Sequence, residues 1–82
     1  MDTMREVLAI LDEVLSLGGR ANGFSRETEL LGVLPELDSM AVVGVINMLE
    51  ERFGFTVEDD EIDGSSFATV GSLVAFVDGK LG

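Results

Sequence analysis

The residues best placed to do chemistry are Leu37-Asp38-Ser39-Met40. They stand directly ahead of an apolar run with helical spacing. The Ser39 hydroxyl therefore sits at a helix N-terminus, beside unpaired backbone N–H groups and in the positive end of the helix dipole. A phosphate attached to that oxygen is favoured, by about 0.3–1 kcal/mol for an exposed anion. The sign suits a phosphate-bearing serine; the magnitude is too small to define one. A serine after an aspartate at a helix start is usually only part of a cap. Here the pair also follows a long loop and lies near the middle of an acidic chain, which sets it apart from an ordinary cap.

Other chemistry is thinly represented. The chain has no cysteine and no histidine, so no disulfide staples the fold and the commonest acid/base group near neutral pH is missing. Any thiol chemistry must be imported. Asp59, Glu61, Asp63 and Gly64 echo the start of a calcium loop, but its last ligand position falls on Val70, where a bidentate glutamate is needed. No metal site is predicted. Nothing in the spacing singles out a carboxylate pair for acid/base work. A small enzyme using Asp or Glu chemistry stays a rival that a perturbed carboxylate in a cleft would revive.

The elements that must position Ser39 follow from periodicity. Thr3-Met4-Arg5-Glu6 reads as a capping box. Met4, Val7, Leu8, Leu11 and Leu15 form the apolar stripe of a first helix, with Asp2, Arg5, Glu6, Asp12 and Glu13 on the other side and Gly18-Gly19 at its end. From Gly18 to Leu37 the pattern dissolves into Gly, Asn, Ser and one Pro, with Leu30, Leu31, Val33 and Leu34 as anchors folded under the bundle. Links between helices are usually about 2–8 residues, so a connection this long is either functional or a tie between parallel neighbours.

Asp38-Ser39 opens a second helix that runs to about Phe53, with Val42, Val45, Ile46, Leu49 and Phe53 inward and Met40, Val43, Gly44, Asn47, Glu50 and Glu51 outward. After Gly54 and an extended Phe55-Thr56-Val57, the acidic run Glu58-Asp59-Asp60-Glu61 with Ile62 as anchor predicts a single helical turn, broken at Gly64-Ser65-Ser66. Thr69 caps a last helix whose Val70, Leu73, Val74, Val77 and Leu81 recur at the right spacing. The fold class is all-α: a bundle of three main helices plus one short helix, with a long loop between helices one and two, in one domain over 1–82.

Composition bounds the function. A chain of 82 residues buries only about 60% of the surface its unfolded form exposes, so its core is small and a carrying or interaction module is more natural than an enzyme. Sixteen acidic against five basic side chains give a net charge of −11, which repels nucleic acid and anionic membrane surfaces. The same field attracts proteins with a basic patch and speeds transient encounters more than it tightens them. With 46% hydrophobic residues in periodic segments, the chain folds despite its acidity. No run approaches the roughly 20 apolar residues that span a bilayer, and the N-terminus lacks the basic start of a signal peptide. A cytoplasmic monomer is the expectation.

Asp38-Ser39-Met40, then Leu49-Glu50-Glu51-Arg52-Phe53, then Glu58 to Ile62, then Phe67-Ala68-Thr69-Val70 together resemble the acyl carrier protein family over nearly the whole chain. The resemblance implies that Ser39, flanked by Asp38, receives a 4'-phosphopantetheine arm from coenzyme A through a separate, magnesium-requiring phosphopantetheinyl transferase. The arm's thiol would hold an acyl or aminoacyl group as a thioester, and the chain itself would catalyse nothing. Met40, Val43, Glu50 and Glu51 become candidates for docking partner enzymes that display basic patches, namely acyltransferases, synthases and an adenylate-forming acyl or aminoacyl ligase.

Glu36 and Leu37 depart from the small Gly-Ala pair common in fatty-acid carriers, and Ala41 and Gly44 replace early acids of helix two. An interior glycine costs about 0.8–1 kcal/mol against alanine, so Gly44 reads either as tolerated or as kept open for a partner. Val45, Ile46, Leu49, Ile62 and Phe67 line either a packed core or a slot for a fatty chain. The segment Leu34 to Met40 and the run Phe67 to Leu73 are similar to carriers associated with bacterial exosortase and exopolysaccharide loci. The alternative to a loaded carrier is an acidic helical interaction domain with the carrier fold and no prosthetic group.

Overall fold

The computed structural model describes residues 2–58, 61 and 64–82. Three helices dominate: α1 (Thr3–Leu15), α2 (Ser39–Phe53) and α3 (Val70–Leu81), with 3-10 turns at Arg20–Gly23 and Gly64–Phe67. Helix α1 packs against both α2 and α3. The core joins Val7, Ile10 and Leu11 of α1, Val45 and Leu49 of α2, and Val70, Leu73, Val74 and Val77 of α3, closed by Leu30, Leu37 and Phe67 from the connections. Burying each such side chain contributes about 1.5–3 kcal/mol, and this apolar interior holds the bundle without a disulfide.

Helix boundaries follow local chemistry, with two departures from expectation. Asp2, not Thr3, is the N-cap of α1, its carboxylate accepting from the Arg5 N–H at 3.4 Å. An ionised acceptor at the positive helix end serves as well as a threonine hydroxyl. The helix ends at Leu15 on Ser16 in left-handed geometry (φ 54°), earlier than the glycine pair suggested. Gly18 and Gly19, at φ 64° and 97°, instead turn the chain into Arg20–Gly23. Ile10, not counted in the α1 stripe, is fully buried, whereas Met4 and Leu8 are half-buried at its margin.

The long connection is stitched to the start of α3. Leu30 and Leu31 donate their N–H groups to the carbonyls of Ala68 and Phe67, Val70 donates to Thr28, and Gly71 donates to Arg26 at 2.8 Å. Glu29 and Thr69 form an isolated antiparallel bridge. A Cβ at Gly71 would lie 3.0 Å from the Arg26 carbonyl oxygen, so only glycine fits this seam without a shift. Extended pairing there separates the four apolar loop residues: Leu30 is buried and Leu34 half-buried, but Leu31 and Val33 are 43% and 55% exposed and do not anchor the bundle.

Thr69 caps α3 as the sequence implied, in a capping box with Ser72. Leu81, assigned to the inner stripe, is exposed in the last turn. A 3-10 turn forms at Gly64–Phe67, where a break was expected, because the Ser72 hydroxyl donates to the Ser66 carbonyl and Phe67 is driven into the core. The predicted acidic turn falls largely on Asp59, Asp60 and Ile62, which with Asp63 of the calcium-loop echo lie outside the described residues.

Candidate functional site

Ser39 is exposed and is the first residue of α2. Asp38 precedes it with extended backbone (φ −103°, ψ −176°), its Oδ1 accepting from the Ala41 N–H at 2.8 Å and its carbonyl from Val42 at 2.9 Å. The side chain of Asp38 is thereby turned into the helix. The N–H groups of Ser39 and Met40 meet no acceptor among the described residues. The arrangement offers an accessible hydroxyl with unpaired donors and a favourable dipole beside it, the setting in which an attached phosphate is best held. An arm that extends into solvent needs no enclosing cavity.

The segment ahead of Ser39 is fixed from two sides. Leu37 is 5% exposed and part of the core, so where fatty-acid carriers show a small residue this chain inserts an apolar plug. Glu36 reaches back to Arg20, Oε2 to Nη2 at 2.6 Å. Its Oε1 is shielded from solvent and meets no donor at hydrogen-bonding geometry among the described residues. The field of the Glu36 amide, and then the Arg20 guanidinium, hold this carboxyl below the usual carboxylate range. Arg20 is in turn set by its Nε donating to the Leu17 carbonyl. The Asp12 carboxylate brackets it, accepting from the N–H groups of Gly19 at 2.9 Å and Ala21 at 3.2 Å. Sequence reasoning left Asp12 on a solvated face; its partners lie across a turn and leave no periodic signature.

The outer face of α2 is not uniform. Met40 is 80% and Val43 55% exposed, and Glu51 is exposed. Glu50 is half-buried, and its Oε2 accepts the Val57 N–H at 2.7 Å, tying down the chain that leaves the helix. Gly44 does not look outward: a Cβ there would lie 3.3 Å from the Val14 Cγ1, so this glycine lets α1 and α2 approach. Beyond Glu51, Arg52 pairs with Glu6 of α1 at 2.7 Å, and Phe53 stacks on Phe55 with centroids 6.0 Å apart. A shallow depression of about 280 Å³ near this end is lined by Met48, Glu51 and Arg52. Of the residues considered for a fatty-chain slot, Val45, Leu49 and Phe67 are packed in the core, Ile46 is half-buried, and Ile62 lies outside the described residues.

This geometry has close counterparts. The family pattern described as "Phosphopantetheine attachment site" matches residues 4–77. The chain belongs to the phosphopantetheine attachment family. Membership makes it a carrier domain, and 4'-phosphopantetheine is the prosthetic group for which the family is described. It superposes on the solution structure of a holo acyl carrier protein from Nitrosomonas europaea with a TM-score of 0.91 and 52% identity, covering 99% of this chain and 98% of that one. It is also 41% identical over 44 residues to an acyl carrier protein of an Exiguobacterium species. That match spans 54% of this chain and about half, 53%, of the relative. These likenesses do not favour an interaction domain without a prosthetic group. No described helix is long and apolar enough to cross a membrane.

Proposed function

We propose that Ser39 is the attachment residue for 4'-phosphopantetheine and that the chain, itself non-catalytic, presents an acyl or aminoacyl thioester to partner enzymes one at a time. The observation that carries this reading is the exposed Ser39 at the first turn of α2, behind a cap that Asp38 alone supplies. On attachment the Ser39 Oγ forms a bond to phosphorus as the pyrophosphate link of coenzyme A breaks. The nucleotide leaves, and the hydroxyl proton passes to the transferase. When bound, the arm supplies the thiol that this cysteine-free chain lacks. The chain's own residues present and orient: the α2 N-terminus favours the new phosphodiester electrostatically, and the Leu37 plug holds the segment in place.

Partner enzymes are those chemistry requires: a phosphopantetheinyl transferase, an adenylate-forming ligase that loads the cargo, and acyltransferases or synthases that remove it. Met40 and Val43 supply apolar contact beside Ser39, and Glu51 an exposed charge for a basic patch. Intact mass after incubation with a broad-specificity phosphopantetheinyl transferase, coenzyme A and magnesium tests the reading. One added arm on the wild type and none on Ser39→Ala is the expected result; an unmodified wild type refutes it.

A further inference from the structure

The proposed attachment serine is preceded by an ion pair that closes the long connection onto itself. Arg20 and Glu36 stand at its two ends, 2.6 Å apart, and the intervening residues run out to α3 and back. The pair is exposed, 57% and 34% for the two side chains, and exposed pairs add little to global stability. Its anchorage is nonetheless specific. The Asp12 carboxylate holds the amides on both sides of Arg20, and the Arg20 Nε is bound to Leu17, so the guanidinium is aimed from a fixed base on α1. At the other end, Glu36 is three residues from Ser39, within the turn that Leu37 closes on Leu34.

We infer that Arg20 and Glu36 are positioning residues for the modification of Ser39: a clasp, based on Asp12, that restrains the Leu34–Asp38 segment and holds the hydroxyl in the pose the transferase uses. The inference rests on Ser39 being the attachment residue. A rigid presentation of a reacting hydroxyl lowers the entropy lost on forming the productive complex. Releasing the clasp frees the Glu36 side of the segment while Leu37 keeps the fold, so the effect falls on presentation rather than on folding. Both partners contribute through their mutual bond, so loss of either has the same consequence. Removing both together therefore costs no more than removing one.

Steady-state phosphopantetheinylation, followed by intact mass, tests this with wild type, Arg20→Gln, Glu36→Gln, the double variant Arg20→Gln/Glu36→Gln, and Ser39→Ala. Each single variant is expected to lose about fivefold in kcat/KM, well short of the about 10²-fold that a misplacement of 1 Å can produce. The loss falls mainly on kcat, and the double variant loses no more than either single one. Amide hydrogen exchange on the unmodified proteins gives an independent measure: Leu37 and Asp38 exchange faster in both single variants, and α1 and α3 are unchanged. Single variants modified at the wild-type rate, or single losses that multiply in the double variant, overturn the inference and leave the carrier reading intact. A wild type that takes no arm overturns the carrier reading itself. If a single variant unfolds, its hydrogen exchange rises throughout α1 and α3, and the clasp is then a folding element, which also overturns the inference.

Discussion

The two ends of α2 are built in opposite ways. At its start, Ser39, Met40 and Val43 face solvent, one carboxylate caps the first turn, and two N–H groups meet no acceptor among the described residues. At its end, Glu50 binds the departing backbone, Arg52 binds α1, Gly54 turns the chain at φ 75°, and Phe53 stacks on Phe55. One helix thus carries an open, chemically available end and an end whose polar groups are spent on holding the fold. Charge and hydropathy alone do not separate them, because exposed-looking residues occur at both. What separates them is whether the side chain already has a partner.

The most damaging way to test that contrast is through the buried side of the helix. Leu49→Ala, in the fully buried stripe, is expected to lose about 2–5 kcal/mol, enough to leave so small a domain marginal, as read by urea denaturation. Val43→Ser at the open end is expected to leave the denaturation midpoint within error. Equal losses would mean that the two faces of α2 are not divided as described.

Next in size is the cap. Asp38→Ala removes the acceptor for the Ala41 N–H and is expected to lower stability by about 1 kcal/mol, within the 0.5–2 kcal/mol range of such caps, and to slow modification of Ser39. Asp38→Ser should restore most of the stability. A cap variant of wild-type stability would contradict the assignment of Asp38 to the helix.

The two neighbouring acids sharpen the comparison further. Glu50→Ala breaks the bond to Val57 and is expected to destabilise by about 1 kcal/mol, while Glu51→Ala leaves stability unchanged and slows encounter with basic partner enzymes, an effect that salt should erase. The reverse pattern would return Glu50 to the docking surface.

The smallest effect is the acid dependence. Glu36 is held down by its own amide and Arg20, and Glu61 by Lys80 and the Glu58 amide, both below their usual value of 4.5. The unfolded chain therefore binds these protons more tightly. The stability that the two groups contribute is complete above that usual value and fades as pH falls through their lower folded values. Denaturation midpoints followed from neutral to acid pH should show this loss, and Arg20→Gln should flatten the Glu36 part of it.

Much of this architecture was legible in the residues. The apolar periods Val7/Leu11, Val45/Leu49 and Val70/Leu73/Val74/Val77 and the caps Asp38 and Thr69 mark the helices because each depends on neighbours within one or two turns. The place of Ser39 at the head of α2 was legible for the same reason. The loop was not: Leu30 and Leu31 are adjacent and equally apolar, and only pairing with Ala68 and Phe67, far along the chain, sends one inward and the other out. Asp12 read as part of the polar side of helix one, Glu36 only as a departure from the family pattern and Glu50 as a docking candidate, because their partners lie across turns whose path no local pattern encodes. Gly44 likewise read either as tolerated or as kept open for a partner, and only the crossing of α1 shows that it meets Val14.

The account turns on which hydroxyl receives the arm. Fragmentation mass spectrometry of the wild-type chain, after treatment with transferase and coenzyme A, should place the whole added mass on the peptide bearing Ser39 and none on those bearing Ser16, Ser25, Ser65, Ser66 or Ser72. An arm found on any of those other serines, or on none, would contradict it.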